Sequence, residues 1–505
     1  MPQKLHRFLP GAIALLFAAL SASSAPVDAE AARKSAERWS VRRHHARKGA
    51  LRAGRMPHRV RTFRAGGADA FHVVDFAGGG FAVVPADDRL APIIAFSDSG
   101  SLKEDPKNPL WRLLNVDLPR RMRCVKDGGA DSPQSTESAA ARDSVFDVRI
   151  EPLLRTHWGQ DGSIFNALTP SNYPCGCVAT SGAQVMRYFR HPSVTVEPRT
   201  FGCWVDSREN ADSPTDWTMI GGVYDWANMP SEPDDPSNVE RMAIGTLCYD
   251  VGVASCMNWC SDTSLACEGV LAISLTNVFR YASAKWYKFW AVEENRARNP
   301  TAEEIERTIF ANLDARTPVV LSVKLDSEDG HSLLADGYGV ADGLFYTHLN
   351  FGWEGASDAW YLLPSESDSS GGIALLKGVI FNISPTEDGE IISGRVVDGT
   401  GQPVSRAEIR ATDGREVRAV RADRRGIYAL RVPAGTEWSV WGQVGGYVSA
   451  TNVVSVGVSE SMVLNRVGSI TYDFNEQTGS IGNNWGNDLR FAENVPPPGF
   501  MLILQ

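Results

Sequence analysis

Residues 172–190, NYPCGCVATSGAQVMRYFR, hold the side chains best suited to covalent chemistry. Pro174 and Gly176 end an extended approach, after which Val178, Val185, Met186 and Phe189 recur at helical spacing. A helix is therefore predicted from Val178 onward, with Cys177 at its N-terminus. Unpaired amides and the positive end of the helix dipole favour thiolate over thiol there, and the thiolate is the nucleophilic form. The plainer alternative is a core thiol or a half-cystine. Cys175, just before the flexible Gly176, is the better candidate for a disulfide or a bystander.

A thiolate needs a base to hold it and an acid to protonate the departing amine, and one imidazole can do both. The candidates are His157, His191, His331 and His348. His191 precedes Pro192 just past the helix and reads as a turn residue. His157 adjoins Trp158 and either shapes the site or sits on the surface. The segment DGHSLLADGYG places His331 at the start of a short apolar strand, behind Gly330, a residue that lets backbone or substrate come close. A second strand over residues 344–351 carries His348 and Asn350 at alternating positions. Antiparallel pairing of the two strands would set Asn350 near His331, where its amide would orient the imidazole. Cys, His, Asn in that order is the logic of papain-like proteases. Pattern alone does not rank His331 above His348.

Three segments in one order, GCVATSGAQVMRYF, DGHSLLADGYG and FYTHLNFGWEGASDAWYLL, resemble the streptopain family of secreted cysteine peptidases, and YDVGVASCMNW between them is similar too. The likeness spans roughly residues 150–384. Upstream, FHVVDFAGGGFAVVPADDRLAPIIAFSD resembles that family's inhibitory propeptide. The resemblance implies Cys177 as nucleophile, His331 as base and Asn350 as the residue that orients it. It also implies Gln160, in the run Trp158-Gly159-Gln160, as the oxyanion-hole amide, and Gly330 and Trp353 as substrate-binding residues. Phe351 stands where the family usually has tryptophan, and no serine-bearing cleft loop is found around residues 267–270. A large apolar side chain two residues before the scissile bond is therefore only the family's default. Two other readings stay open: an inactive relative that binds or inhibits, and another acyl-transfer enzyme such as an amidase or a transglutaminase-like protein.

The elements that must position these groups are read as follows. The chain of 505 residues has 43% hydrophobic and 22% charged residues, which is globular composition, and exceeds one ordinary core. Its net charge of -10 argues against a nucleic-acid partner. Lys4 and Arg7 precede an apolar run over 10–20 and then small residues, so residues 1–29 read as a signal peptide and the protein as secreted or cell-surface associated. No later run is long enough to span a membrane. Residues 30–122 are expected to form an α+β inhibitory propeptide, with a hairpin over 71–76 and 81–85 turning at Gly78, Gly79 and Gly80. Residues 123–144 read as a linker open to activating cleavage, and 145–385 as the papain-like α+β catalytic domain. Residues 388–465 carry short strands between turn signals and resemble the carboxypeptidase regulatory-like domain, a transthyretin-like β-sandwich. Residues 466–505 are a tail of unassigned role. Cys256, Cys260 and Cys267 read as disulfide formers rather than zinc ligands, since no histidine stands near them. No metal or cofactor is expected. The expected partners are protein or peptide substrates and the chain's own propeptide.

Overall fold

The structure is a computed structural model that describes residues 26–45, 56–127, 146–207, 213–289, 300–325, 330–364, 375–459, 464–467, 471–474, 480–492 and 495. Most of the expected signal segment and of the linker lies outside these residues.

Alternating apolar residues broken by three glycines form the hairpin that the spacing predicts. Strands Ala68–Phe76 and Phe81–Pro85 pair antiparallel, with Val73 opposite Val83. Gly78, Gly79 and Gly80 turn at φ of 81°, 95° and 91°, a region that favours glycine. Pro57–Ala65 adds to one side of the hairpin and Ala95–Ser97 to the other. Ala95–Ser97 is not an edge: Phe96 pairs with Trp360 and Ala95 with Tyr361, so the N-terminal sheet continues into the central domain. From Ala359–Tyr361 the order runs through Leu344–Asn350, Gly330–Ala341, Val319–Lys324, Leu376–Ser384 and Ser283–Lys288.

Packing follows that continuity. Phe96 is buried among Trp39, Phe146, Tyr346 and Trp360, with ring centroids 5.2 to 6.1 Å away. Each ring so buried contributes about 2 kcal/mol. Polar contacts close the same seam. Arg121 Nη2 donates to the Leu362 carbonyl at 2.6 Å, Tyr361 Oη to Asp117 at 2.5 Å, and Tyr346 Oη to the Ile93 carbonyl at 2.9 Å. A second core lies across the central domain, where helices Cys177–Phe189, Asn238–Ala254 and Glu268–Asn277 pack around Trp158, Trp259 and Trp286. Helix Cys177–Phe189 is buried at every position from Val178 to Met186 and runs against strand Gly330–Ala341, where Ser181 Oγ donates to the Ser332 carbonyl at 3.1 Å.

The C-terminal unit is a β-sandwich built round Trp438. One sheet holds Glu390–Val397 and Ile427–Val432, the other Glu408–Thr412, Val417–Arg421, Thr436–Val444 and Asn452–Val456. Part of the segment left unassigned from sequence completes it: Leu489–Arg490 pairs parallel with Val396 and Val397. Trp485 reaches across to Phe310, Tyr338 and Phe345 of the central domain at 5.2 to 6.4 Å. The buried Glu390 carboxylate binds Lys285 Nζ at 2.7 Å and also accepts from Asn382 and from the amide and hydroxyl of Ser459. The sandwich is thus bonded to the central domain rather than tethered beside it.

Asp314 stands at this seam, accepting from Tyr338 Oη at 2.8 Å, and burial pushes its carboxyl up to about 8 despite that bond. The folded chain therefore holds a proton that the unfolded chain has already released. This contribution is fully present below about pH 4 and is lost as pH rises toward 8. Asp314→Asn should melt several degrees above the parent at pH 8, with the gap closing by pH 5; thermal scans at both pH values check this.

Candidate active site

Gly176 caps helix Cys177–Phe189 at φ 92°, and a Cβ there would lie 2.9 Å from Met257 Cε and 3.2 Å from the Ser264 carbonyl. Glycine is required on both counts, and it delivers Cys177 as the first residue of the helix. Cys177 is half-buried. Desolvation pushes its thiol up to about 12; the amides of Ser332 and Val178 pull the other way, while the nearby Glu268 charge adds to the rise. Burial thus opposes the helix end and shifts this thiol upward, against the direction expected from the helix terminus alone.

His331 is 6% exposed and lies next to Ser332, so helix and strand bring sulfur and imidazole into one neighbourhood. Its Nε2 is 2.7 Å from the Phe351 carbonyl. A carbonyl only accepts, so the proton sits on Nε2 and Nδ1 is the basic nitrogen. The Phe351 ring lies nearly parallel to the imidazole at 6.3 Å, and the Phe351 amide donates to Asp358 at 3.0 Å. Burial pushes that Asp358 carboxyl up to about 6.

The expectation that the Asn350 side chain orients His331 is corrected. Asn350 pairs with Leu334, three positions from His331, and a register shift between Ala335 and Gly337 sets that alignment. Its amide faces the helix instead. Nδ2 donates to the Thr156 carbonyl at 2.9 Å, while Oδ1 accepts from Gln184 Nε2 at 3.1 Å and from the Gly352 amide at 3.0 Å. Thr156 Oγ1 donates to Gln184 Oε1 at 2.7 Å, which closes a buried ring of three residues. Asn350 therefore anchors the backbone whose next carbonyl holds the imidazole. Asn350→Ala should lower the melting temperature by several degrees while Nδ1 of His331 keeps its reactivity; melting curves beside an imidazole pH titration check this.

His348 is engaged elsewhere, its Nδ1 2.6 Å from Asp336 Oδ1, while Asp336 also accepts from the Leu154 and Leu153 amides. Gln160 is 9% exposed, and its carbonyl accepts from the Cys175 amide at 2.9 Å, which holds the Trp158–Gln160 run against the turn before Cys177. Gly330 pairs with Lys324, and a Cβ on it would sit 3.0 Å from Lys377 Nζ. Trp353 is half-buried against the core of the sheet. Cys260 and Cys267 carry free thiols in this structure and are not joined to each other as the disulfide reading allows. Among the described residues no group of His, Cys, Asp and Glu is arranged to hold a metal ion.

The Thr156–Gln184–Asn350 ring, the Ser332 amide and the Phe351 carbonyl were not anticipated. Backbone groups leave no sequence signal, but Gln184, polar inside an apolar helix stretch and seven residues after Cys177, was a legible one.

Comparison with known proteins agrees with this architecture. Residues 158–361 match the Peptidase C10 family, residues 24–120 the Spi protease inhibitor family, and residues 391–467 the carboxypeptidase regulatory-like domain. The chain is 25% identical to streptopain of Streptococcus pyogenes over 333 residues, which is 61% of this chain and 78% of that protein. It is 26% identical to the thiol protease/hemagglutinin PrtT of Porphyromonas gingivalis over 61% of this chain and 36% of that one. A fragment of Prevotella intermedia prointerpain A shares the fold, with a TM-score of 0.52 at 24% identity over 65% of this chain and 99% of the fragment. The chain thus carries a streptopain-family (Peptidase C10) domain of the cysteine peptidase class, preceded by a Spi-type inhibitor domain and followed by a carboxypeptidase regulatory-like β-sandwich.

Proposed function

We propose that the protein is a secreted cysteine endopeptidase made as a zymogen, with Cys177 as nucleophile and His331 as its base. The observation that carries this reading is the commitment of His331 Nε2 to the Phe351 carbonyl, on a strand whose next residue, Ser332, bonds through its amide to a cysteine at a glycine-capped helix start. Nδ1 takes the Cys177 proton, and the thiolate attacks the scissile carbonyl carbon. The same imidazolium then protonates the leaving amine, and water, deprotonated by Nδ1, hydrolyses the thioester. The Phe351 carbonyl does for the ring what a side-chain amide would otherwise do, and Asn350 is a positioning residue behind it. The Gln160 amide and the Cys177 backbone N–H donate to the developing oxyanion. Gln160→Ala should lower kcat by about 10²- to 10³-fold with KM little changed, measured on a fluorogenic peptide.

Latency is proposed to reside in the inhibitor domain, whose strand Ala95–Ser97 extends the catalytic sheet. Cleavage within residues 123–144 by the enzyme itself would separate the two. Alkylation of Cys177 tests this: in the full-length protein its rate should keep climbing toward strongly alkaline pH, and after maturation it should level off well below that. Secretion is inferred from the N-terminal pattern of Lys4, Arg7 and the apolar run that follows; no helix among the described residues is long and apolar enough to cross a membrane.

A further inference from the structure

Beside the Gln160 segment lies a cavity of about 350 Å³ that the mechanism above does not use. Ile164 and Phe165 give it an apolar lining, and Glu232, Asp234, Glu354 and His157 a polar one. Glu232 Oε1 is 3.3 Å from His157 Nδ1. The Glu354 amide donates to the Trp158 carbonyl at 3.2 Å, and Glu354 Cγ lies 2.8 Å from where a Cβ on Gly159 would stand. The Glu354 side chain thus packs directly on the residue before Gln160, at the edge of the proposed site.

The inhibitor domain contacts the segment that carries Glu354. Asn108 accepts from Ser357 Oγ at 2.9 Å, three residues after Glu354, and the adjoining Lys107 is exposed. The Lys107 charge acts on Asp161, the neighbour of Gln160, opposing the rise that burial imposes on that carboxyl. The precursor therefore sets one of its own lysines within electrostatic reach of Asp161, the residue after Gln160.

We propose that this cavity is a substrate subsite for a lysine or arginine side chain, whose methylenes lie along Ile164 and Phe165 while its charge meets Glu232, Asp234 and Glu354. The inference rests on the reading of Cys177 and His331 as a peptidase pair and names part of its substrate. It also supplies a specificity that the family's preference for an apolar side chain before the scissile bond does not contain.

The test uses the matured enzyme and one peptide scaffold in which lysine, norleucine or glutamate is placed in turn at each of about four positions on either side of the cut. At one position lysine should exceed norleucine in kcat/KM by about tenfold, mostly through KM, and salt should shrink the gap. The double variant Glu232→Gln, Glu354→Gln should bring that ratio below about twofold, and Glu354→Lys should shift preference toward glutamate. Ratios are taken within each variant, so partial misfolding cancels. Lysine exceeding norleucine at no position, or a ratio that survives in the double variant, would overturn the subsite while leaving the peptidase intact. A parent enzyme that cuts none of the peptides, norleucine ones included, would overturn the reading of Cys177 and His331 and the subsite with it.

Discussion

Cys177→Ala is expected to fold, to bind its own inhibitor domain and to hydrolyse no peptide, a loss of at least about 10⁴-fold from the parent rate. The reason is specific to this sulfur. Cys175 and Cys203 are fully buried, and Cys175 lies 3.3 Å from the Thr180 hydroxyl. Cys177 alone combines partial exposure, a helix start and the Ser332 amide. The checks are a fluorogenic assay after separate proteolytic removal of the inhibitor domain, and a melting curve showing the variant folded. Retention of even a hundredth of the parent rate would move the nucleophile elsewhere.

The second large effect separates two histidines that sequence pattern left level. His331→Ala should abolish turnover, because it removes the proposed base, whose Nε2 is 2.7 Å from the Phe351 carbonyl. His348→Ala should instead lower the melting temperature. It removes from Asp336, whose side chain is 1% exposed, the imidazole nitrogen 2.6 Å from its Oδ1, and leaving a buried acceptor short of a partner costs about 1 to 3 kcal/mol. Turnover by the folded fraction should stay within about threefold of the parent. Measured side by side, kcat should fall in the first variant and melting temperature in the second; loss of kcat in the second alone would make His348 the base.

The sequence revealed much of this architecture because its local rules agree with the fold. Val73, Val83 and three successive glycines specify a hairpin by alternation and turn chemistry alone, and it forms as expected. Helical periodicity after Gly176 placed Cys177 at a helix start, and Gly330 marked the start of the strand that carries His331. What was misread depends on non-local facts. The position of Asn350 turned on a register shift near Ala335, and nothing in the alternation of Leu344–Asn350 signals a shift in its partner. The direction of the thiol's shift turned on burial, which a helix dipole argument leaves out. The tail hid its role because Trp485, Leu489 and Phe491 stand singly among asparagines and polar turns, too sparse for periodicity yet sufficient to complete a sheet and bridge a seam.

The family assignment and this geometry leave self-activation as the step on which the zymogen reading turns. Purified full-length protein should be incubated with and without reductant, and with its thiols alkylated, and the fragments followed by intact mass. The account predicts that the reduced protein loses its N-terminal domain by cleavage within residues 123–144, that peptidase activity appears in step, and that alkylated protein remains whole. Equal processing of alkylated protein, or complete removal of the domain with no peptidase activity to follow, would contradict it.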